Sequence, residues 1–189
     1  MKKKIIFLAV ITLGFMLLNG CLSVETKEYN FKIKKDGSGT GTIKYINIMS
    51  DNKDSVGAAE SDYQTLVDSY LKGDKLLEEF PGVKNMKKRL FEEDNQLCGE
   101  VTFDFDKLTD MKFYKYKDSG PWCYYLGMSA NNMFSSESFF SSNGEYAGQN
   151  MPVVFWESNT KDFKFKTTLT APGEKTISLL DLWKSLGEK

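Results

Sequence analysis

The sequence contains no histidine. Histidine is the commonest general base, the commonest zinc ligand and the middle residue of Ser-His-Asp and Cys-His arrangements. Its absence therefore excludes every site of these kinds that depends on histidine. Phosphate-binding loops are missing as well. The glycine-rich run at 37–41 lacks the G-x-G-x-x-G and G-x-x-x-x-G-K-[ST] spacings and leads into a strand pattern, which indicates a turn. We therefore predict no enzyme activity, no metal site and no cofactor.

The sequence also lacks an excess of charge of either sign. It has 25 Lys and Arg residues against 26 Asp and Glu residues, and three of the lysines lie in the first four positions. No basic stripe with interleaved aromatic residues is present, although such a stripe is typical of nucleic-acid-binding proteins. We therefore predict that nucleic acid is not a partner.

Cysteine is scarce. Apart from Cys21, the chain has only Cys98 and Cys123, which are too far apart in sequence for a C-x-x-C redox pair. In an exported protein, two such thiols suggest a disulfide bond. The alternative is that both pack as small hydrophobic side chains.

The first 21 residues have the order of a bacterial export leader. Lys2, Lys3 and Lys4 precede an apolar run at 5–18, and Leu-Asn-Gly-Cys21 follows. The run is shorter than the roughly 20 residues of a membrane-spanning helix. The ending resembles the lipobox of bacterial lipoproteins, which implies leader cleavage before Cys21 and acylation of that residue with fatty acids such as palmitate. We predict a signal peptide at 1–20 and a protein anchored by lipid on the exported side of the cell membrane or outer membrane. The alternative is an ordinary signal peptide with a chance cysteine.

Alternation and turn residues predict the fold of the remainder. Residues 21–28 are predicted to be the lipidated cysteine and a tether, and residues 29–189 a single domain. Strand patterns at 29–34 and 40–49, at 83–91 and 97–105, and at 151–157 and 163–171 predict three hairpins. The lysine-rich strand at 83–91 is typical of a sheet edge.

Two helices complete the predicted α+β fold. The apolar stripe from Tyr63 to Leu71 predicts one main helix packed on a face of a mostly antiparallel sheet. The pattern at 177–186 predicts a short C-terminal helix that docks on the same domain.

Residues 129–150 differ in composition from the rest of the chain. Ser, Asn and Gly dominate this stretch, and Phe134, Phe139, Phe140 and Tyr146 are scattered through it. We predict a flexible insertion, and its aromatic side chains are candidates for an interaction surface, because long loops are often functional. The interpretation that we favour is that these side chains only cover the sheet.

The order of these motifs resembles that of a known bacterial family. A lipobox cysteine, Lys-Lys-Asp-Gly-Ser-Gly39, a helix, Phe-Pro-Gly-Val83 and Val-Thr-Phe-Asp-Phe105 follow one another as in the LppM-type lipoprotein domain, a family of unknown function. The resemblance covers roughly residues 21–110, with a weaker match at 169–173. It implies a compact α+β domain and supplies no catalytic residues. Many members continue into a second transmembrane helix, which this sequence lacks.

Three functions are consistent with these features. We expect a membrane-anchored, non-enzymatic binding or interaction module of the cell envelope, whose partners are the membrane and an envelope protein or lipid. The alternative is a carrier of a small ligand or lipid, with residues 129–150 as a lid over an apolar pocket. A hydrolase that uses serine or aspartate with a lysine base would require a cleft that brings such a pair together.

Overall fold

A computed structural model describes residues 22–51, 57–126, 137–169, 171–173 and 175–186. The predicted leader, the predicted acylation site Cys21 and Phe134 lie outside these ranges. No helix within them combines the length and apolar character needed to cross a bilayer.

The described residues form eleven strands and three α-helices. The strands are β1 Leu22–Ile33, β2 Gly39–Ser50, β3 Val83–Glu93, β4 Gln96–Phe105, β5 Phe113–Lys115, β6 Trp122–Tyr125, β7 Ser138–Ser142, β8 Glu145–Tyr146, β9 Val153–Trp156, β10 Asp162–Thr168 and β11 Ile177–Ser178. The helices are α1 Ala58–Thr65, which continues as a π-helical segment Leu66–Lys72, α2 Lys75–Glu79 and α3 Leu180–Leu186; a 3₁₀ turn spans Leu108–Met111.

The strands form two antiparallel sheets. The larger sheet has the order β3-β4-β2-β1-β10-β7, with β11 paired to the end of β2, and the smaller sheet has the order β5-β6-β9-β8. The α+β prediction with a mostly antiparallel sheet, one main helix and a short C-terminal helix is confirmed. The sheets pack face to face through aromatic rings. The ring centroids of Phe31 and Phe113 are 5.2 Å apart, and those of Trp156 and Phe163 are 5.5 Å apart.

Local turn chemistry explains the first two hairpins, both of which were predicted. Gly37 has a φ of 87° in the turn between β1 and β2, a conformation that glycine adopts without strain. Asp94 and Asn95 have φ values of 50° and 60° between β3 and β4. These are the left-handed conformations of a two-residue hairpin turn, which Asp and Asn tolerate. The predicted edge position of β3 is also confirmed.

Two glycines in β2 allow the aromatic core to pack closely. Gly39 and Gly41 pair with Phe105 and Phe103 of β4. A Cβ atom on Gly41 would lie only 2.3 Å from the Phe103 ring, so the ring occupies the space above the glycine. Glycine within a strand often marks such a close approach.

The structure differs from the prediction at the start of the domain. Residues 22–28, predicted to be a tether, form the first half of β1. Leu22 pairs with Ser50 and Thr26 with Ile46, and Thr26 also pairs with Thr168 on β10. Pairing with β2 starts at Leu22 and pairing with β10 starts at Thr26, and these hydrogen bonds hold the polar stretch extended. Residues 22–28 are therefore part of the folded domain.

The predicted third hairpin is wrong. Strand β9 lies in the smaller sheet and β10 in the larger one, so the turn at 158–160 connects the two sheets. Trp156 and Phe163 lie on the two sides of this turn, and both rings are buried between the sheets.

The helices cover a second hydrophobic cluster on the larger sheet. Tyr63 and Leu66 from the main helix pack there with Leu97 of β4. Leu179 and Leu180 join them from the C-terminal end, which confirms that α3 docks on its own domain.

Candidate ligand cavity

A cavity of about 200 Å³ lies between the helical segment 66–79 and the larger sheet. Apolar side chains make up most of its wall: Leu22, Val24, Ile48, Leu66, Leu71, Leu76, Leu90, Val101 and Leu169. An apolar cavity of about 150 Å³ is known to hold benzene, so this one accommodates an apolar group of about six carbons or slightly more.

Two local features lie at the cavity wall. Gly99 of β4 stands opposite Tyr45 of β2. A Cβ atom at Gly99 would lie only 3.3 Å from Ile48, so the glycine allows Ile48 and Leu90 to pack closely against the strand. The helix above changes from α to π geometry at Leu66. π-helical turns are rare and frequently occur at functional sites.

The π-helical segment is fixed at its end. Gly73 follows Lys72, and a Cβ atom at Gly73 would lie 2.5 Å from the Asp68 carbonyl oxygen. The Lys88 ammonium of β3 donates a hydrogen bond to the Gly73 carbonyl oxygen. The segment therefore ends at a residue whose side chain must be absent, and β3 holds that end.

Charged side chains interrupt the apolar wall in two places. Arg89 and Glu100 form an ion pair of 2.8 Å between β3 and β4. Lys27 and Glu79 also line the cavity. Burial raises the pKa of Glu79, and this effect exceeds the opposing influence of Lys27. Glu79 itself is partly buried at this part of the wall.

Lys27 connects the cavity to a partly buried hydrogen-bond cluster centred on Glu137. The Glu137 carboxylate accepts bonds from the Lys27 ammonium at 2.8 Å, the Tyr29 hydroxyl at 3.0 Å and the Thr167 hydroxyl at 2.8 Å. Burial and the nearby Glu137 charge raise the pKa of Tyr29 well above its usual value. The cluster thus joins β1 and β10 to the residue that directly precedes β7.

The described aromatic residues among the candidates for an interaction surface divide into two groups. Phe139 of β7 stacks on Tyr146 of β8, with ring centroids 4.0 Å apart, and both pack against the core between the sheets. Phe140 is 61% exposed and lies beneath the Lys166 ammonium. Residues 138–142 and 145–146 are strands, although we predicted a flexible insertion there. Two of the four aromatic side chains therefore cover the sheet, and Phe134 lies outside the described residues.

The structure does not bring the two other cysteines together. Cys98 is buried on β4 in the larger sheet, whereas Cys123 lies on β6 in the smaller sheet, and both are free thiols. The Cys123 thiol donates to the Tyr114 carbonyl oxygen. This arrangement corresponds to the alternative to a disulfide bond, in which both thiols pack as small hydrophobic side chains.

Sequence reasoning missed the cavity. The stripe from Tyr63 to Leu71 was interpreted as core, and Tyr63 is buried as expected. Tyr70 and Leu71, however, lie at the cavity. The described lining residues come from 22–101 and Leu169, and none comes from 137–150. In the described part of the chain, α2 and the π-helical segment therefore cover the cavity.

Comparison of this chain with protein-family models, with curated proteins and with solved structures found no match. The resemblance to the LppM-type domain therefore stays a prediction based on sequence motifs. Within the described ranges, no group of three or more acidic or cysteine side chains is placed to hold a metal ion.

Proposed function

We propose that this protein is a lipid-anchored, non-enzymatic binding module of the bacterial cell envelope that holds a small apolar ligand in the cavity below the π-helical segment. The observation that carries the proposal is the cavity itself, which is lined mainly by Leu, Ile and Val side chains. The export leader and the lipobox ending at Cys21 support the anchor and the location.

The contacts of the polar side chains at the cavity favour binding over catalysis. The Lys27 ammonium pairs with Glu137, and the Lys88 ammonium donates to a backbone carbonyl. The Ser23 hydroxyl donates to Asp51 at 2.6 Å. A serine–lysine mechanism would need the lysine nitrogen next to the serine oxygen, whereas these groups are each engaged by a different partner.

The size of the cavity sets the expected affinity. Each buried CH₂ group contributes about 0.8 kcal/mol, so a segment of about six carbons contributes roughly 5 kcal/mol. Loss of ligand freedom offsets part of this gain. The net gain is therefore below about 5 kcal/mol, and we expect dissociation constants of about 0.2 mM or weaker for simple apolar ligands.

A dye-binding experiment tests the cavity. Both hydrophobic clusters lie within residues 22–186, so a chain of residues 22–189 contains the complete core and is suitable for measurement without detergent. We expect N-phenylnaphthylamine to insert its phenyl ring, which has the size that the cavity accommodates, at one site of this chain with an increase in fluorescence. Leu71→Trp should weaken binding at least tenfold, because the larger side chain occupies the cavity.

The matched control is Leu77→Trp. Leu77 lies on α2, is 39% exposed and does not line the cavity. This variant should bind the dye as the unmodified chain does. Equal binding by the Leu71 variant would contradict the proposed site. The anchor is tested separately in the full chain: Cys21→Ser should abolish labelling by a fatty-acid probe, and unchanged labelling would contradict the anchor.

A further inference from the structure

We infer that the cavity receives one acyl chain of the lipid attached to the protein's own Cys21. The inference rests on the proposed function, because it names the ligand of the same cavity. The ligand class is an unbranched aliphatic chain, and the source is the protein's own anchor.

Position in the chain is the first argument. Leu22, Ser23 and Val24 all line the cavity, and Leu22 follows Cys21 directly in sequence. Strand β1 begins at Leu22, where pairing with Ser50 fixes the backbone. One residue spans at most about 3.6 Å. An acyl chain on Cys21 therefore starts about one residue away from the wall of the cavity.

The chemistry of the wall is the second argument. The side chains around the cavity are mainly aliphatic, which suits an aliphatic chain. At about 200 Å³, the cavity holds a segment of one chain and leaves the other chains of the lipid for the bilayer. The anchor then contacts the bilayer and the folded domain at the same time.

Tethering is the third argument, and it favours the protein's own lipid over an external one. A group attached next to its site is present at an effective concentration of about millimolar or higher. An external lipid must first leave its bilayer, and it then competes with the attached chain. We therefore expect the lipidated protein to bind an external apolar ligand more weakly than the lipid-free chain of residues 22–189.

Photo-crosslinking tests this inference. Cells that express the full chain are given a fatty acid with a terminal diazirine, and the lipidated protein is purified and illuminated. We expect cross-links from the Cys21 lipid to the cavity peptides that contain Leu66, Leu71 or Leu90. Leu71→Trp should reduce these cross-links at least fivefold, and Leu77→Trp should leave them unchanged. Cross-links to detergent alone, or equal cross-linking in the Leu71 variant, would overturn the inference.

A second arm identifies the source of the acyl chain. Free diazirine fatty acid is added to unlabelled lipidated protein and to the chain of residues 22–189. We expect at least fivefold stronger cavity labelling in the lipid-free chain. Equal labelling of the two proteins would overturn the inference and leave the proposed function standing. The absence of cavity labelling in both proteins and in the first arm would overturn the inference and the cavity function together.

Discussion

Replacement of Glu137 by alanine should destabilise the domain strongly. The substitution removes the acceptor of three side-chain hydrogen bonds, from Lys27, Tyr29 and Thr167. The Thr167 side chain is 0% exposed and Tyr29 is 6% exposed, so water does not readily replace the carboxylate at these two hydroxyls. The Lys27 ammonium loses its counter-ion as well.

The contacts give the expected magnitude. Removal of one partner of a buried ion pair costs about 3–5 kcal/mol. The Lys27 and Glu137 side chains retain 20% and 15% exposure, so water partly solvates the lysine that remains, and we reduce the range to about 2–4 kcal/mol. This is a large part of the 5–15 kcal/mol by which a typical domain is stable.

Urea denaturation of the chain of residues 22–189, followed by tryptophan fluorescence, measures this loss. Glu145→Ala is the matched control, because Glu145 is exposed on β8 and its replacement should cost less than about 0.5 kcal/mol. The double variant Lys27→Met/Glu137→Leu should cost less than Glu137→Ala alone, since no charge is left unpaired. A loss below about 1 kcal/mol for Glu137→Ala would refute the reasoning.

Three further predictions concern tyrosine titration, thiol reactivity and core packing. Burial raises the pKa of Tyr29 and Tyr124 above the unfolded value of about 10. The free energy of unfolding should therefore fall as the pH rises above about 10, by roughly 1.4 kcal/mol per pH unit for each tyrosine. A urea midpoint that stays constant from about pH 9 to about pH 11 would contradict this. Without reductant, the unfolded chain of residues 22–189 should show two alkylatable thiols by mass spectrometry. In the folded chain, Cys123 should react faster than Cys98, which is 1% exposed. A single intramolecular disulfide would disprove the placement of these two cysteines in different sheets. Gly41→Ala should cost about 1–3 kcal/mol in urea denaturation because the new methyl group overlaps the Phe103 ring, and an unchanged midpoint would show that the ring moves freely.

The features that the sequence predicted correctly are local. The first two hairpins depend on alternation and on turn residues a few positions apart, such as Asp94 and Asn95 with their left-handed backbone. The edge position of β3 follows from its row of lysines. The main helix follows from apolar spacing, although the spacing does not show the change to π geometry after Thr65.

The features that the sequence did not predict depend on distant partners. Residues 22–28 look like a polar tether, and they are a strand because β2 pairs with them from Leu22 onward and β10 from Thr26 onward. The turn at 158–160 has the length of a hairpin loop and yet connects two sheets, because Trp156 and Phe163 pack against each other between them. The cavity depends on how the helical segment packs on the larger sheet. An apolar stripe has the same sequence pattern whether the space beside it is filled or empty.

Methyl NMR of the chain of residues 22–189 tests the central claim most directly, namely that the cavity is the ligand site. On addition of a short fatty acid, we predict saturable shifts of the methyl signals of Leu66, Leu71 and Leu90, which line the cavity. The methyl signals of Leu77 and Leu186, which are 39% and 61% exposed, should stay in place. Shifts confined to the exposed leucines, or no saturable shift at the cavity, would contradict the account.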